Sequence, residues 1–219
     1  MTDTRIEAAF APWQALAHDL LPHATSGDDG AHDIAHILRV FRNAMRVAQE
    51  EGADGRLLAA AVLLHDCVSV EKNSSERHAA SRLAADKASG ILRGLGWAEQ
   101  DIDAVAHAIL THSFSAGLMP ETLEARILQD ADRLDAIGMV GAARCFYIAG
   151  RMGSALYDPA DPLAENRPLD DKAFAIDHFE TKLFKLADGF QTVTGRRFAL
   201  ERQDRLRQVL DLFIDEITG

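Results

Sequence analysis

Apolar residues recur every three to four positions along most of this chain, which predicts helices throughout. A first helix is expected over residues 5–21, carrying Trp13 and Leu16 and stopping at Pro22. The stretch His23 to Ala31, rich in Gly, Asp and Ser, reads as a loop. From Asp33 to Glu51 the residues Ile34, Ile37, Leu38, Phe41, Met45 and Ala48 keep helical spacing, with Gly52 as the C-terminal stop. Asp54 is placed to cap a fourth segment, Leu57-Leu58 through Leu63-Leu64, which runs into His65-Asp66. Further helices are expected from Ser74 or Ser75 to about Leu95, over 98–112, and from Pro120 at its first position through Leu134 and past Gly138. Gly150 to Asp171, with Asp158-Pro159 and Asp161-Pro162, reads as a long loop. Two amphipathic helices, roughly 172–189 and 194–217, close the chain. With no β pattern and no internal repeat, the expected fold class is all-α, in a single domain over 1–219.

Composition narrows the function classes. A chain of 219 residues that is 47% hydrophobic has enough material for one substantial core. Its formal net charge of −11 argues against a protein that grips a nucleic-acid backbone. A small anionic substrate chelated to a metal remains compatible, because a bound cation dominates its local field. Two cysteines, Cys67 and Cys145, are too few for a disulfide framework and read as small buried hydrophobes in a reducing compartment. The first residues, Met1 to Arg5, lack a signal-peptide pattern, and no apolar run approaches a membrane span. Cytoplasmic localisation without membrane association is therefore expected.

The chemistry concentrates in three places: His36 within His32-Asp33-Ile34-Ala35-His36, the pair His65-Asp66, and Asp130-Ala131-Asp132-Arg133-Leu134-Asp135. A His-Asp pair is common by chance. Here it ends an apolar run, where a polar pair is costly to bury unless hydrogen bonds or a cation satisfy it. Two imidazoles and two carboxylates form a mixed nitrogen and oxygen set suited to Mn, Mg, Fe, Co or Ni as divalent ions. His23 and His32 compete with His36 for the first position, and a core imidazole bonded to a backbone carbonyl is the bland alternative for His36. A helical wheel does not choose among Asp130, Asp132 and Asp135, and pairing of these carboxylates with Arg126 and Arg133 is the structural alternative.

These runs, together with Gln129 through Gly138 and the later stretch Ile176-Asp177-His178-Phe179, Lys182, Lys185, Thr194-Gly195-Arg196 and Arg202, resemble the HD phosphohydrolase superfamily. The likeness is strongest to its small stand-alone bacterial members, and it extends from about residue 30 to the C-terminus. It implies a compact helical bundle with a metal-binding core over about 30–140 and a C-terminal helical extension over about 170–217. It also implies His36, His65, Asp66 and Asp132 as metal ligands, the last because members usually place that ligand in an Ala-Asp pair. Asp130 and Asp135 would then have supporting or structural roles.

Around this core, Asp66 and Glu71 are the expected catalytic carboxylates, Glu71 to orient or deprotonate the attacking water. Lys72, Arg77 and His112 are the expected substrate contacts, against the alternative of a solvated loop for the charged pair. His107 is a weaker candidate beside His112, although binuclear members of the superfamily do carry two additional histidines. Lys182, Lys185 and Tyr157 are peripheral candidates. Similar proteins hydrolyse nucleoside and deoxynucleoside triphosphates to monophosphate and pyrophosphate, which is the first expectation. A 5′-nucleotidase or other phosphomonoesterase, a phosphodiesterase, and a regulatory metal or nucleotide binder without turnover are the alternatives. The expected partner is a small phosphorylated molecule, and a homodimer is compatible with the sequence.

Overall fold

The structure, a computed structural model, describes residues 4–24, 33–68, 79–113 and 117–219. Its elements in chain order are α1 (Thr4–Ala8), α2 (Gln14–Leu20), α3 (Ile34–Glu51), α4 (Gly55–Leu64), α5 (Ala80–Gly94), α6 (Glu99–Thr111), α7 (Leu123–Asp135), α8 (Gly138–Met152), α9 (Asp177–Thr181) and α10 (Val193–Thr218). Short 3₁₀ helices cover Leu21–His23 and Leu183–Gly189. Among the described residues no strand forms, and the one isolated bridge joins Ala155 to Phe174. The all-α class is as expected. The chain divides into two compact units, Met1–Asp132 and Arg133–Gly219.

In the first unit α4 is the central element and packs against α2, α3 and α6. Every residue from Leu58 to Leu64 is fully buried, as befits a helix that is apolar on all sides. Asp54 starts it: its carboxylate accepts the amides of Arg56 and Leu57 at 2.8 and 3.1 Å. The next residue, Gly55, lies against the Trp13 ring, where a Cβ would come within 3.2 Å of Cζ2. On α3 the buried face is Ile37, Val40, Phe41, Ala44 and Val47, with His36 and Asn43 set into the same stripe. Gly52 closes α3 in the left-handed region at φ 84°. The α5–α6 pair is joined by a turn through Gly96, also left-handed at φ 76°.

The second unit packs α8 against α10, with α9 and the 3₁₀ turn completing it. Phe146 meets both Phe179 and Phe213, and Tyr157 stands edge-on to Phe213 with ring centroids 6.0 Å apart. Arg167 ties down the long loop before α9: its guanidinium makes two bonds to the buried Asp177 carboxylate, at 2.6 and 2.9 Å, and covers the Phe174 ring.

Four boundaries differ from the sequence expectation. Residues 5–21 are not one helix: the chain breaks between α1 and α2, where Pro12 supplies no amide hydrogen. Pro120 does not open α7. Thr122 does so, its hydroxyl accepting the Ala125 amide at 3.2 Å. The helix expected to run past Gly138 ends at Asp135, and α8 starts separately at Gly138, whose φ is 74°. The helix expected over 172–189 is only five residues of α9 followed by a 3₁₀ turn, because Asp170 Oδ1 takes the Lys172 and Ala173 amides and holds that segment as a turn. The expected helix start at Ser74 or Ser75 lies outside the described residues.

Candidate metal centre

Three elements of the first unit bring their polar groups to one point. Asp33 caps α3 through Oδ1, which accepts the His36 amide at 2.9 Å, and so anchors the turn that carries His36. His65 is the C-terminal cap of α4. There its Nδ1 lies 2.7 Å from the carbonyl of Val62 and donates to it. That bond settles the tautomer: in the neutral ring Nε2 carries a lone pair and no proton. Asp132 sits near the end of α7, just after the buried Ala131.

The separations fit a common cation. His36 Nε2 lies 3.3 Å from His65 Nε2, 3.4 Å from Asp132 Oδ1 and 3.6 Å from Asp66 Oδ2. His65 Nε2 is 3.5 Å from the same Asp66 oxygen. Ligands about 2.1 Å from a metal stand roughly 3.0 Å apart on an octahedral edge and about 3.4 Å apart on a tetrahedral one. The donor atoms of His36, His65 and Asp132 all fall within 4.8 Å of one another. Both imidazoles are 1% exposed, whereas the Asp66 and Asp132 side chains keep 26% and 30%, so the point is closed on the histidine side and open on the carboxylate side.

Ionisation favours the same chemistry. Burial pushes the His65 imidazole below its ordinary value, which keeps it neutral. Burial alone would raise Asp66, but the bond from His36 and the nearby His112 ring hold its carboxyl well below the usual carboxylate range. Neutral imidazole and ionised carboxylate are the forms that ligate. The residues present therefore fit a divalent cation.

His112 repeats the device seen at His65. It caps α6, its Nδ1 bonds the Ile109 carbonyl at 2.6 Å, and its Nε2 lies 3.9 Å from Asp66 Oδ1. The two rings meet edge-on with centroids 5.1 Å apart. His107 is engaged elsewhere, its Nε2 accepting the Glu121 amide at 3.0 Å. Of the other acids on α7, Asp130 is fully buried, and Asp135 pairs with Arg144 at 2.8 Å. Arg126 and Arg133 bond the carbonyls of Pro120 and Gly189. His23 is exposed at the end of its 3₁₀ turn, as are Lys182 and Lys185 in the second unit. His32, Glu71, Lys72 and Arg77 lie outside the described residues. Cys67, next to Asp66, is buried, its Sγ lies 3.5 Å from the Ala84 carbonyl, and its thiol is pushed up to about 11 by that burial.

Sequence reasoning passed over three side chains that bond the backbone beside these groups. Asn43 donates to the Ala131 carbonyl at 3.2 Å, Gln129 to the Thr111 carbonyl at 2.8 Å, and Lys87 to the Cys67 carbonyl at 2.7 Å. For Asn43 a signal existed: it is a carboxamide inside the apolar stripe of α3.

Comparison with known proteins agrees with this geometry. The family model of the HD domain matches residues 33–137. YpgQ of Bacillus subtilis, an uncharacterised protein, is 32% identical over 196 residues, spanning 88% of this chain and 87% of the relative. The crystal structure of Bacillus subtilis YpgQ in complex with ADP covers 98% of both chains with a TM-score of 0.72 at 32% identity. An HD-superfamily hydrolase from Bacillus thuringiensis covers 98% of this chain and 97% of its own, with a TM-score of 0.70 at 29% identity. With this likeness running nearly end to end and the His, His-Asp and Asp groups gathered at one point, the chain belongs to the HD superfamily of hydrolases.

Proposed function

We propose that this protein is a divalent-metal-dependent phosphohydrolase that cleaves nucleoside and deoxynucleoside triphosphates to monophosphate and pyrophosphate. The observation that carries the proposal is the convergence of His36, His65 and Asp132 at ligand spacing, with the Asp66 carboxylate beside both imidazoles. These four would hold the cation, which when bound polarises a phosphoryl oxygen and acidifies a water. The nucleotide is suggested by the ADP bound to YpgQ.

The chain's own groups divide the remaining work. His112, its ring fixed by the Ile109 carbonyl, presents Nε2 toward Asp66 Oδ1 and is assigned to the substrate. Glu71 is assigned to orient the attacking water. Lys72 and Arg77 are assigned to the outer phosphates, whose charge they would offset as pyrophosphate leaves. These three assignments come from the sequence alone. Water adds to the α-phosphorus, the α–β bridge breaks, and the products are the monophosphate and pyrophosphate. No described helix is long and apolar enough to cross a membrane. Both cysteines are free, and we place the enzyme in the reducing cytoplasm.

The test is a panel of nucleoside mono-, di- and triphosphates with Mn²⁺, assayed separately for phosphate and pyrophosphate. Pyrophosphate from triphosphates, with little discrimination among bases, is expected. Lys72→Ala and Arg77→Ala should each raise KM for triphosphates about tenfold while changing it less for monophosphates. Phosphate released only from monophosphates would replace the proposal with a nucleotidase, and tight nucleotide binding without turnover would replace it with a regulatory binder.

A further inference from the structure

Two buried carboxamides surround the centre without belonging to its donor set. Asn43, 5% exposed, lies on α3 seven residues after His36, two turns along the same face and about 10 Å down the axis. Its bond goes to the carbonyl of Ala131, the residue before Asp132. Gln129, 3% exposed, lies on α7 three residues before Asp132, and its bond goes to the carbonyl of Thr111, the residue before His112. The helices α3, α7 and α6 are thus joined in that order, each bond ending on a peptide adjacent to a site residue.

Neither bond is explained by packing. Helix α7 runs on to Asp135, so the Ala131 carbonyl has a helical partner four residues ahead and gains a second donor from Asn43. An apolar side chain of similar size would leave that carbonyl satisfied and avoid the cost of burying an amide. What it would not supply is direction. Apolar contact lets helices slide by several tenths of an ångström, while donor atoms 3.3–3.4 Å apart tolerate little such movement. Thr111 is the last residue of α6, where a carbonyl has no helical partner, and Gln129 fixes it.

We propose that Asn43 and Gln129 are positioning residues for this site: Asn43 sets the approach of Asp132 to His36, and Gln129 sets the placement of His112 opposite Asp66. The Asn43 role rests on the metal reading of the same site.

The experiment uses the full chain stripped of metal and titrated with Co²⁺, following both affinity and the visible absorption bands that report coordination geometry. Asn43→Leu should weaken Co²⁺ binding by about 10–100-fold and alter the bands. The control is Val47→Ala, one turn further along the same buried face of α3, which should lower the melting temperature and leave both readouts unchanged. If Asn43→Leu fails to fold, Asn43→Asp, which keeps the side chain's size and removes the amide donor, takes its place with the same expectation. Gln129→Met is read without metal, by the NMR signal of the His112 Nδ1 proton, which should shift, while Val47→Ala leaves it in place. Equal Co²⁺ affinity and bands in Asn43→Leu and parent, or equal weakening in Val47→Ala, would overturn the role of Asn43. An unmoved His112 signal would overturn that of Gln129. A parent chain that takes up no Co²⁺ would refute the metal centre and the Asn43 role with it, and the Gln129 arm would still be decided by NMR.

Discussion

His65 uses its two ring nitrogens for different ends. Nδ1 closes the last turn of α4 on the Val62 carbonyl, and that bond directs a bare Nε2 at Asp66 and His36. Truncating a donor removes a metal bond outright. His65→Ala and Asp66→Ala should therefore weaken metal binding by more than about a hundredfold and abolish hydrolysis, with the far-UV circular dichroism of a folded helical protein retained. Undiminished metal in both variants by elemental analysis would refute the assignment. Among the acids of α7, Asp132→Asn should strip the metal whereas Asp130→Asn should leave it largely in place, since Asp132 Oδ1 is the oxygen 3.4 Å from His36 Nε2. The opposite order of metal contents would reverse the assignment. Legibility at this scale was uneven. His65-Asp66 could be read because a polar pair ends an apolar helix. The choice of Asp132 could not be read from a wheel, because it depends on where α3 brings His36, nearly a hundred residues away in sequence. The Asn43 and Gln129 bonds are equally long-range and left only a misplaced polar residue as a trace.

At the scale of elements, α3, α4, α6 and α10 were legible because hydrophobic periodicity and end signals agreed. Asp54 and Gly52 act where expected, one capping α4 and the other ending α3. Asp54→Ala should cost about 1 kcal/mol, up to about 2 because two amides lose their acceptor. It should lower the melting temperature and leave metal affinity unchanged; a loss of metal would show that the far end of α4 also governs the site. The break between α7 and α8 was not legible. It depends on Arg202, which bonds the Leu134 carbonyl and packs on Gly138, where a Cβ would come within 3.3 Å of its own. Just beyond the break, a Cβ on Gly141 would run into the Ala136 carbonyl, which is backbone and has little room to yield. Gly141→Ala should cost about 1–3 kcal/mol, measured by urea denaturation, and an unchanged midpoint would contradict the tight approach.

For the molecule as a whole, acid is the condition most able to loosen the second unit. Asp177 is buried, and although burial alone would raise its carboxyl, the Arg167 guanidinium and the Asp170 amide hold it below the usual range. A depressed folded value means that its contribution is complete above the unfolded carboxylate value of about 3.9 and is lost as pH falls through the folded one. Asp177→Ala should cost about 2–4 kcal/mol near pH 7, less than a fully buried pair because Arg167 keeps some exposure. It should also flatten the fall of the melting temperature below about pH 4, and a variant melting in parallel with the parent down to about pH 2.5 would rule the pair out as an acid switch. The two free cysteines are distributed one to each unit, Cys67 in the first and Cys145 in the second, and burial pushes both thiols up to about 11. In the folded protein at neutral pH the raised thiols slow alkylation at both, and labelling of the buried Cys67 must also wait for local opening, whereas the half-buried Cys145 needs none. Cys67 is thus a built-in clock with Cys145 as its reference: the rate at which iodoacetamide marks Cys67 times the opening of the first unit, and Mn²⁺, by holding that unit closed, should slow the Cys67 channel in proportion to its occupancy and leave the Cys145 rate unchanged.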